Sequence, residues 1–427
     1  MRVATRITLA AFIALAIVAL TPLGALGEGE TIGGTLIYRV DDERIPVEGV
    51  VIIVSQDGTE VGRGVSDVEG KWVVSIPGGG TYVVTLDLST LPEGVTLTDP
   101  ERVELDNVDV LGGQNKSVLF PLGEGTLTTV STYQRVGALF IAGLKLGAII
   151  ALAAVGLSLI YGVTGLVNFA HAEMVTLGAV AAFFFHVSPV GPEWALLAAV
   201  APAVMIGAGA GALQEVWLWR PLRNRQTSLI AMMVVSIGLG FAMRSLIQII
   251  FGGQPRSYMD FAGGTPVDIL GIPMVPKHLF TIFAAVIVLG GVGLFLQRSR
   301  AGTAMRAVSD DTDLAESSGI DVNRVILFTW IMAGGLAALA GVFFGANEVI
   351  QFDMGFRLLL LIFAAVVLGG LGTAYGAMVG GFIVGVAVEM STLFVPSELK
   401  GAVGLALLIL MLLVRPQGIL GTKERIG

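Results

Sequence analysis

The sequence predicts a polytopic α-helical membrane protein with an N-terminal extracytoplasmic β-sandwich domain, and three observations lead to this fold class. Of the 427 residues, 54% are hydrophobic and only 14% are charged, whereas soluble domains carry about 25% charged residues. The 58 glycines favour a helical bundle in lipid, because small residues let transmembrane helices approach closely. Before this bundle, residues 33–122 contain short β-branched runs with the hydrophobic period of strands.

The first 27 residues have the pattern of a signal peptide. Arg2 and Arg6 precede an uncharged stretch at residues 7–20, and small residues follow at 25–27. The apolar core is short for a membrane span, which needs roughly 20 residues. The pattern fits a cleaved signal peptide or an uncleaved N-terminal anchor, and either one exports the residues that follow.

Residues 33–122 are expected to form the extracytoplasmic β-sandwich. Strand-like runs at residues 35–38, 50–54, 71–74 and 81–84 alternate with glycine-containing turn signals such as Asp57-Gly58 and Glu69-Gly70. Their order resembles the carboxypeptidase-regulatory or prealbumin-like modules of secreted proteins, a structural resemblance that implies no activity. Residues 27–133 contain 18 acidic and 6 basic side chains. The acidity of the chain therefore belongs to this module, and nothing in the charge pattern suggests nucleic-acid binding.

After a linker at residues 123–136, nine apolar segments predict a transmembrane domain at residues 137–421. They cover residues 137–161, 173–186, 194–217, 228–251, 278–297, 325–346, 358–371, 374–394 and 400–414. If the β-domain is outside, the order of the segments places the loops 218–227 and 298–324 and the tail 415–427 in the cytoplasm, with residues 422–427 as the end of the tail. Those three stretches hold ten lysines and arginines against four in the exterior loops, as the positive-inside rule requires.

Two glycine-rich interruptions of the apolar pattern, at residues 156–173 and 367–381, are candidates for a solute path. Irregular backbone at membrane depth is tolerated where it is buried in protein or lines a water-filled cavity. Interrupted segments in both halves of a transporter also point to a central site. The candidate residues are Tyr161, Asn168, His171, Gly369, Gly370 and Gly372. Close helix packing and a satisfied polar cluster are the alternative roles for the same residues.

The loop at residues 299–324 has the composition of a docking surface for another protein. Residues 303–308 and 311–318 are predicted to form two short helices, the second of which ends at Gly319. A solvated connector would not need apolar side chains such as Leu314 and Ile320, although a connector packed under the bundle would have the same composition.

Four motifs in this order resemble the permease subunits of branched-chain amino acid ABC importers, the LivH type. They are LIYGVTGLVNFAH at residues 159–171, the loop at 306–320, AVVLGGLG at 365–372 and VRPQGILG at 414–421. Over residues 137–421 the resemblance implies the type II ABC importer permease fold and the translocation of branched-chain amino acids, or of related small solutes such as urea or amides. The chain departs from the family at Ala172, where members commonly have glycine, and in its exported β-domain, which ordinary members lack.

The resemblance also implies an assembly in a bacterial or archaeal plasma membrane. Its partners would be a second homologous permease subunit, two cytoplasmic ATPase subunits and an extracytoplasmic solute-binding protein. Residues 304–320 would then couple the ATPase subunits to transport. The coupling residues implied in this way are Ala304, Arg306, Ala307, Ala315, Gly319 and Ile320.

Other classes of function are disfavoured by the residue content. The absence of cysteine excludes disulfides, thiolate metal sites and cysteine nucleophiles, and the sequence lacks the glycine-rich loop that binds ATP phosphates. We therefore expect no catalysis, cofactor or metal in this chain. An ion-coupled secondary transporter would need carboxylates within the membrane, whereas Glu173, Glu215 and Glu389 lie near predicted segment ends and Arg244 is the main charge well inside one. A sensor or adhesion protein anchored by the bundle would not need nine spans.

Overall fold

The computed structural model describes residues 31–421, apart from 41–42, 57, 93, 98–102, 111–114, 119, 121, 124–130, 188–190, 193, 259–266, 270 and 416. The leader expected at residues 1–27 and the tail at 422–427 lie outside these residues. The chain divides into a strand unit that ends at Val130 and a helical unit that begins at Ser131. The two classes of structure predicted from the sequence are therefore both present.

The strand unit consists of three small sheets within its described residues. Its strands are β1 Thr31–Thr35, β2 Ile37–Val40, β3 Glu43–Pro46, β4 Val51–Gln56, β5 Thr59–Val65, β6 Lys71–Ser75, β7 Gly80–Leu86, β8 Glu104–Val110, β9 Asn115–Ser117 and β10 Leu122–Gly123. One sheet has the strand order β5-β4-β7-β8, and the other two have the orders β6-β1-β9 and β10-β2-β3.

One hydrophobic core is shared by these sheets. Ile52 on β4 and Trp72 on β6 are both buried in it, together with Ile32 on β1. Alternate residues of β4 and β6 point inward, which is the period of two that a half-buried strand requires. Gly70 ends the turn before β6 with φ +73°, and a side chain there would collide with the Leu36 carbonyl. The turn signal Glu69-Gly70 read from the sequence therefore marks a turn.

The helical unit contains a helix at each of the nine apolar segments. Its helices are α1 Thr132–Thr164, α2 His171–His186, α3 Leu196–Gln214, α4 Arg220–Asn224, α5 Leu229–Phe251, α6 Pro276–Arg298, α7 Arg300–Asp310, α8 Thr312–Ser317, α9 Val322–Asn347, α10 Met354–Gly369, α11 Ala374–Ser391 and α12 Lys400–Val414. A π-helical turn, Glu215–Trp219, joins α3 to α4, and a hairpin of β11 Val267–Ile269 and β12 Ile272–Met274 precedes α6.

Six of the described helices are long and apolar enough to cross a membrane. These are α1, α3 with its continuation through α4, α5, α6, α9 and α11, and the shorter apolar helices α10 and α12 accompany them. The protein is therefore a multi-pass membrane protein.

Local capping explains where the helices differ from the predicted segments. Helix α1 begins at Thr132, inside the predicted linker, because Ser131 and Gln134 form a capping box. It continues to Thr164 and ends at Gly165, whose φ of +67° is the left-handed conformation of a helix C-cap. The first glycine-rich interruption is therefore shorter than the sequence suggested and covers only residues 165–170.

Glycines bring several helices into backbone contact. A side chain at Gly147 on α1 would lie 2.8 Å from the Cα of Phe382 on α11. On α9, a side chain at Gly341 would overlap the Val175 carbonyl of α2, and Gly178 of α2 faces Ala338 of α9 in return. Small residues serve this purpose in membrane bundles. Close packing is thus the role of these glycines.

Candidate functional site

The break between α1 and α2 places irregular backbone inside the bundle. Residues 165–170 form no helix, and the Phe169 amide donates a hydrogen bond to the Ser236 hydroxyl of α5 at 3.1 Å. Non-helical backbone at membrane depth needs such partners from neighbouring helices. The sequence therefore folds this segment against α5 rather than exposing it to lipid.

Helix α2 starts well inside the span. A ring nitrogen of His171, Nε2, lies 2.9 Å from the carbonyl oxygen of Ala153 in the middle of α1. Ala153 precedes the end of α1 at Thr164 by about 16 Å, since a helix rises about 1.5 Å per residue. After α1 ends, the chain therefore returns toward the middle of the bundle before α2 begins.

The polar side chains at this break are enclosed and only partly paired. Asn168 and His171 are fully buried, and Asn168 Oδ1 accepts a hydrogen bond from the Ala170 amide at 3.1 Å. Asn168 Nδ2, His171 Nδ1 and the Ser158 hydroxyl have no partner among the described residues. Buried polar groups without partners are costly and call for a functional explanation. The packing alternative, in which this cluster would be satisfied, leaves these three atoms unexplained.

The other path candidates lie elsewhere, at the end of the bundle that carries α7 and α8. Gly370 and Gly372 have φ values of +111° and +78° in the turn between α10 and α11. Gly372 packs against the ring of half-buried Tyr161, and Gly369 packs against the backbone of Gly376. Tyr161 is about 12 Å further along α1 than Ala153 at 1.5 Å per residue. The structure therefore groups Tyr161 with Gly369, Gly370 and Gly372, and separates this group from Asn168 and His171.

The C-terminal motif completes this second group. The amides of Ile419 and Leu420 donate hydrogen bonds to the carbonyls of Leu368 and Gly369 at 2.8 and 2.9 Å. A side chain at Gly162 would lie 3.1 Å from the Gly372 carbonyl and 3.3 Å from the Ser309 hydroxyl of α7. Three of the sequence motifs thus meet beside the first helix of the predicted coupling loop.

A buried ion pair near the start of α2 was missed by the sequence reasoning. Arg244 Nε of α5 lies 3.3 Å from Glu173 Oε1, and only 2% of the Glu173 side chain is exposed. The guanidinium stacks over Phe356 of α10, 3.9 Å from its ring centroid, and lies 5.1 Å from the Phe241 ring. The available signal was one acid and one base within apolar segments, which are rare there and usually functional.

The predicted coupling loop forms two helices as expected. In α8, the Ile320 amide donates to the Ala315 carbonyl and the Gly319 amide donates to the Glu316 carbonyl, while Gly319 has φ +86°. These bonds form a Schellman motif, the helix ending that requires a left-handed residue such as glycine. The structure confirms that Gly319 ends this helix in the left-handed conformation.

The coupling residues divide between two sides of this loop. Ala315 is buried, and Ala307 and Ile320 pack with it against the cluster that contains Trp219 and Trp330. Ala304 is half-buried, whereas Arg306 and Gly319 are exposed. Arg306 also donates a hydrogen bond to the Leu296 carbonyl of α6. Leu314 is 64% exposed. The inner residues therefore fix the loop to the bundle, and the outer ones remain exposed on its surface.

A separate cavity of about 510 Å³ lies between α3, α6 and α9. Its lining is almost wholly apolar and includes Val200, Phe280, Leu339 and Phe343, with Lys277 at its edge. A solute site usually combines an apolar lining with a small number of convergent polar groups. The lining of this cavity lacks such a set of polar groups, so the polar break before α2 is the stronger candidate for a solute site.

A test of the buried break compares two histidines on α2. We expect His171→Gln to retain the fold, because the glutamine amide can donate to the Ala153 carbonyl. Solute uptake should fall several-fold, because a hydrogen bond between His171 and the solute, worth about 1 kcal/mol, is lost. The matched control is His186→Gln at the other end of α2, where His186 Nδ1 lies 2.7 Å from the Trp194 carbonyl oxygen.

The measurements are thermal stability in detergent and the initial rate of uptake. Asn168→Ser and Tyr161→Phe should behave like His171→Gln. A parallel loss of stability and uptake in all three variants would favour a packing role instead.

Comparison with known proteins gives matches to the helical unit. Residues 139–412 match the family described as branched-chain amino acid transport system / permease component. The LivH high-affinity branched-chain amino acid permease protein of Salmonella typhimurium is 34% identical over 294 residues, or 66% of this chain and 94% of that protein. LivH of Escherichia coli K12 is 32% identical over the same shares, and the probable LivH of Methanocaldococcus jannaschii is 28% identical over 64% of this chain and 89% of that protein. No solved structure gives a significant match, and the strand unit lies outside the matched residues.

Proposed function

Since the chain belongs to the family of branched-chain amino acid transport system permease components, we propose that it translocates branched-chain amino acids as one subunit of an ATP-driven importer. The chain is a transport subunit and not an enzyme, as its relatives are permease proteins. The observation that carries the proposal is the match over nearly the full length of LivH. Related small solutes such as urea or amides are the alternative substrates.

The proposed assembly follows from the same family membership. A second homologous permease subunit would complete the membrane part, and two ATPase subunits would hydrolyse ATP. A solute-binding protein would deliver the substrate from outside. We assign the ATPase contact to the exposed side of α7 and α8, because Leu314 and Gly319 project there while Ala315 and Ile320 pack into the bundle.

The proposed orientation places the α7 and α8 end in the cytoplasm and the strand unit outside, in the plasma membrane of a bacterial or archaeal cell. It is supported by the basic residues Arg298, Arg300, Arg306 and Arg324 in and around this loop. A reporter fused near residue 123 should be active only outside the cytoplasm, and cytoplasmic activity alone would refute this orientation.

The assembly is tested by purifying the tagged chain from its own cells. We expect an ATPase subunit and a second permease to co-purify in stoichiometric amounts, and the hydrolysis of ATP to rise when the binding protein loaded with leucine is added. Purification of a stable chain without any ATPase, together with uptake that needs no ATP, would favour an ion-coupled transporter.

A further inference from the structure

The start of α10 and the second half of α5 carry charged and aromatic side chains on an outward-facing surface of the helical unit. We call this surface, made of Phe241, Arg244, Phe356 and Arg357, the α5–α10 face. Phe241 and Phe356 are 55% and 46% exposed, and the Arg244 guanidinium lies beside both rings. Aromatic faces attract such a cation, so the rings hold Arg244 in place.

Two acidic side chains lie behind this face. Glu173 pairs with Arg244 at 3.3 Å, and Asp353 pairs with Arg357 at 2.9 Å. Asp353 is also close enough to Glu173 to interact with it electrostatically. Each carboxylate keeps one buried oxygen, Glu173 Oε2 and Asp353 Oδ1, that receives no hydrogen bond within the part of the chain that the structure describes. The Thr176 hydroxyl also interacts with the Glu173 carboxylate. Behind this face there are therefore two buried carboxylate oxygens that lack a donor among the described residues.

The position of these charges argues against contact with lipid. Arg244 is about 10 Å before the end of α5 at Phe251, at about 1.5 Å per residue, so it lies within the span. Charged side chains at such positions usually face the interior of an assembly or a water-filled cavity. The bundle itself does not cover this face, because the two phenylalanine rings remain exposed.

Building on the proposed function, we propose that the α5–α10 face is a wall of the water-filled solute path, where Glu173 and Asp353 bind the primary ammonium group of the passing solute. An ammonium group has three hydrogen-bond donors and no acceptor, which matches the two acceptors that lack a donor. Arg244 is a positioning residue, since its bond to Oε1 leaves Oε2 of Glu173 for the solute. The solute class is a primary amine, such as an amino acid.

The absence of cysteine from the chain allows a direct test with single-cysteine variants. Ile237 lies one helical turn before Phe241, and Leu360 lies one helical turn after Phe356. Ile237→Cys and Leu360→Cys therefore leave the residues of the α5–α10 face intact. The matched controls are Phe283→Cys and Ile287→Cys on α6, which are also exposed but have no charged side chain within their helical turn. The probe is trimethylammonium-ethyl methanethiosulfonate, applied to membranes that contain the full assembly.

We expect the two path variants to react at least about tenfold faster than the two controls, because the reactive thiolate forms in water and not in lipid. Equal and slow reaction at all four positions would overturn the proposal and place the face against lipid. Spontaneous cross-linking of Leu360→Cys to a neighbouring chain without labelling by the probe would also overturn it, since the face would then be a dry subunit contact.

The role of Glu173 is read from the charge preference of labelling at Leu360→Cys. We expect Glu173→Gln to lower the ratio of labelling rates between the cationic reagent and its anionic sulfonatoethyl analogue by about tenfold, because a carboxylate in a narrow path concentrates cations. The control Glu389→Gln, which removes a carboxylate paired with Lys400 at 2.8 Å, should leave the ratio unchanged.

An unchanged ratio in Glu173→Gln would remove Glu173 from the path. The ratio compares two reagents on one protein, so a change in folded fraction does not alter it. Labelling also requires no transport. The face can therefore fail this test while ATP-driven leucine uptake by the native chain still supports the proposed function.

Discussion

Gly319→Val is expected to abolish solute uptake while the subunit remains inserted in the membrane. Gly319 has φ +86°, and no atom lies within 4 Å of the position that a side chain would occupy. The cost is therefore confined to the backbone, about 1–2 kcal/mol for a side-chain-bearing residue in the left-handed conformation. That cost falls on the Schellman motif that directs the chain from α8 to Ile320, so the exposed side of the loop should change its orientation.

The measurements for Gly319→Val are membrane content, co-purification of the ATPase subunit and uptake. The matched control is Gly271→Val in the β11–β12 hairpin, where φ is +77° and the surrounding space is equally open. The hairpin lies at the opposite end of the bundle, between the end of α5 and the start of α6. Normal ATPase association and normal uptake in Gly319→Val, or the same losses in Gly271→Val, would contradict the coupling role.

Gly341→Ala is expected to destabilise the helical unit strongly. The added methyl group would overlap the Val175 carbonyl, and α2 cannot retreat without disturbing the contact of Gly178 with Ala338. Overpacking of this kind costs about 1–3 kcal/mol and occasionally more. The expected result is a lower melting temperature in detergent and a loss of monodisperse protein.

Gly290→Ala on α6 is the control for this prediction. No atom lies within 4 Å of the new methyl group, and alanine favours a helix over glycine by about 1 kcal/mol. Its melting temperature should therefore stay unchanged or rise. Equal melting temperatures in Gly341→Ala and the native protein would contradict the close approach of α2 and α9.

The helices were predictable from the sequence because each one has a long apolar pattern. Their ends were less predictable, since capping by residues such as Ser131 and Gly165 adds or removes a turn without changing hydropathy. The depth at which α2 begins was not predictable. It depends on the contact of His171 with Ala153, which hydropathy does not encode.

The candidate site was predictable in residue content but not in arrangement. The sequence singled out Asn168 and His171 by their polarity, yet it could not reveal that they lie apart from Gly370 and Gly372. The pairing of Glu173 with Arg244 joins residues far apart in the chain, and single-sequence patterns carry no information on such contacts. The burial of Ala315 and Ile320 was likewise hidden, because a docking surface and a packed connector have the same composition.

The central claim is that this chain moves branched-chain amino acids with energy from ATP. The most direct measurement is uptake of radiolabelled leucine into proteoliposomes that contain the chain with its second permease and ATPase subunits, in the presence of the binding protein. We predict uptake that requires both ATP and the binding protein and that ceases in Gly319→Val. Leucine uptake driven by a proton or sodium gradient without ATP, or no uptake of any branched-chain amino acid by the intact assembly, would contradict the claim.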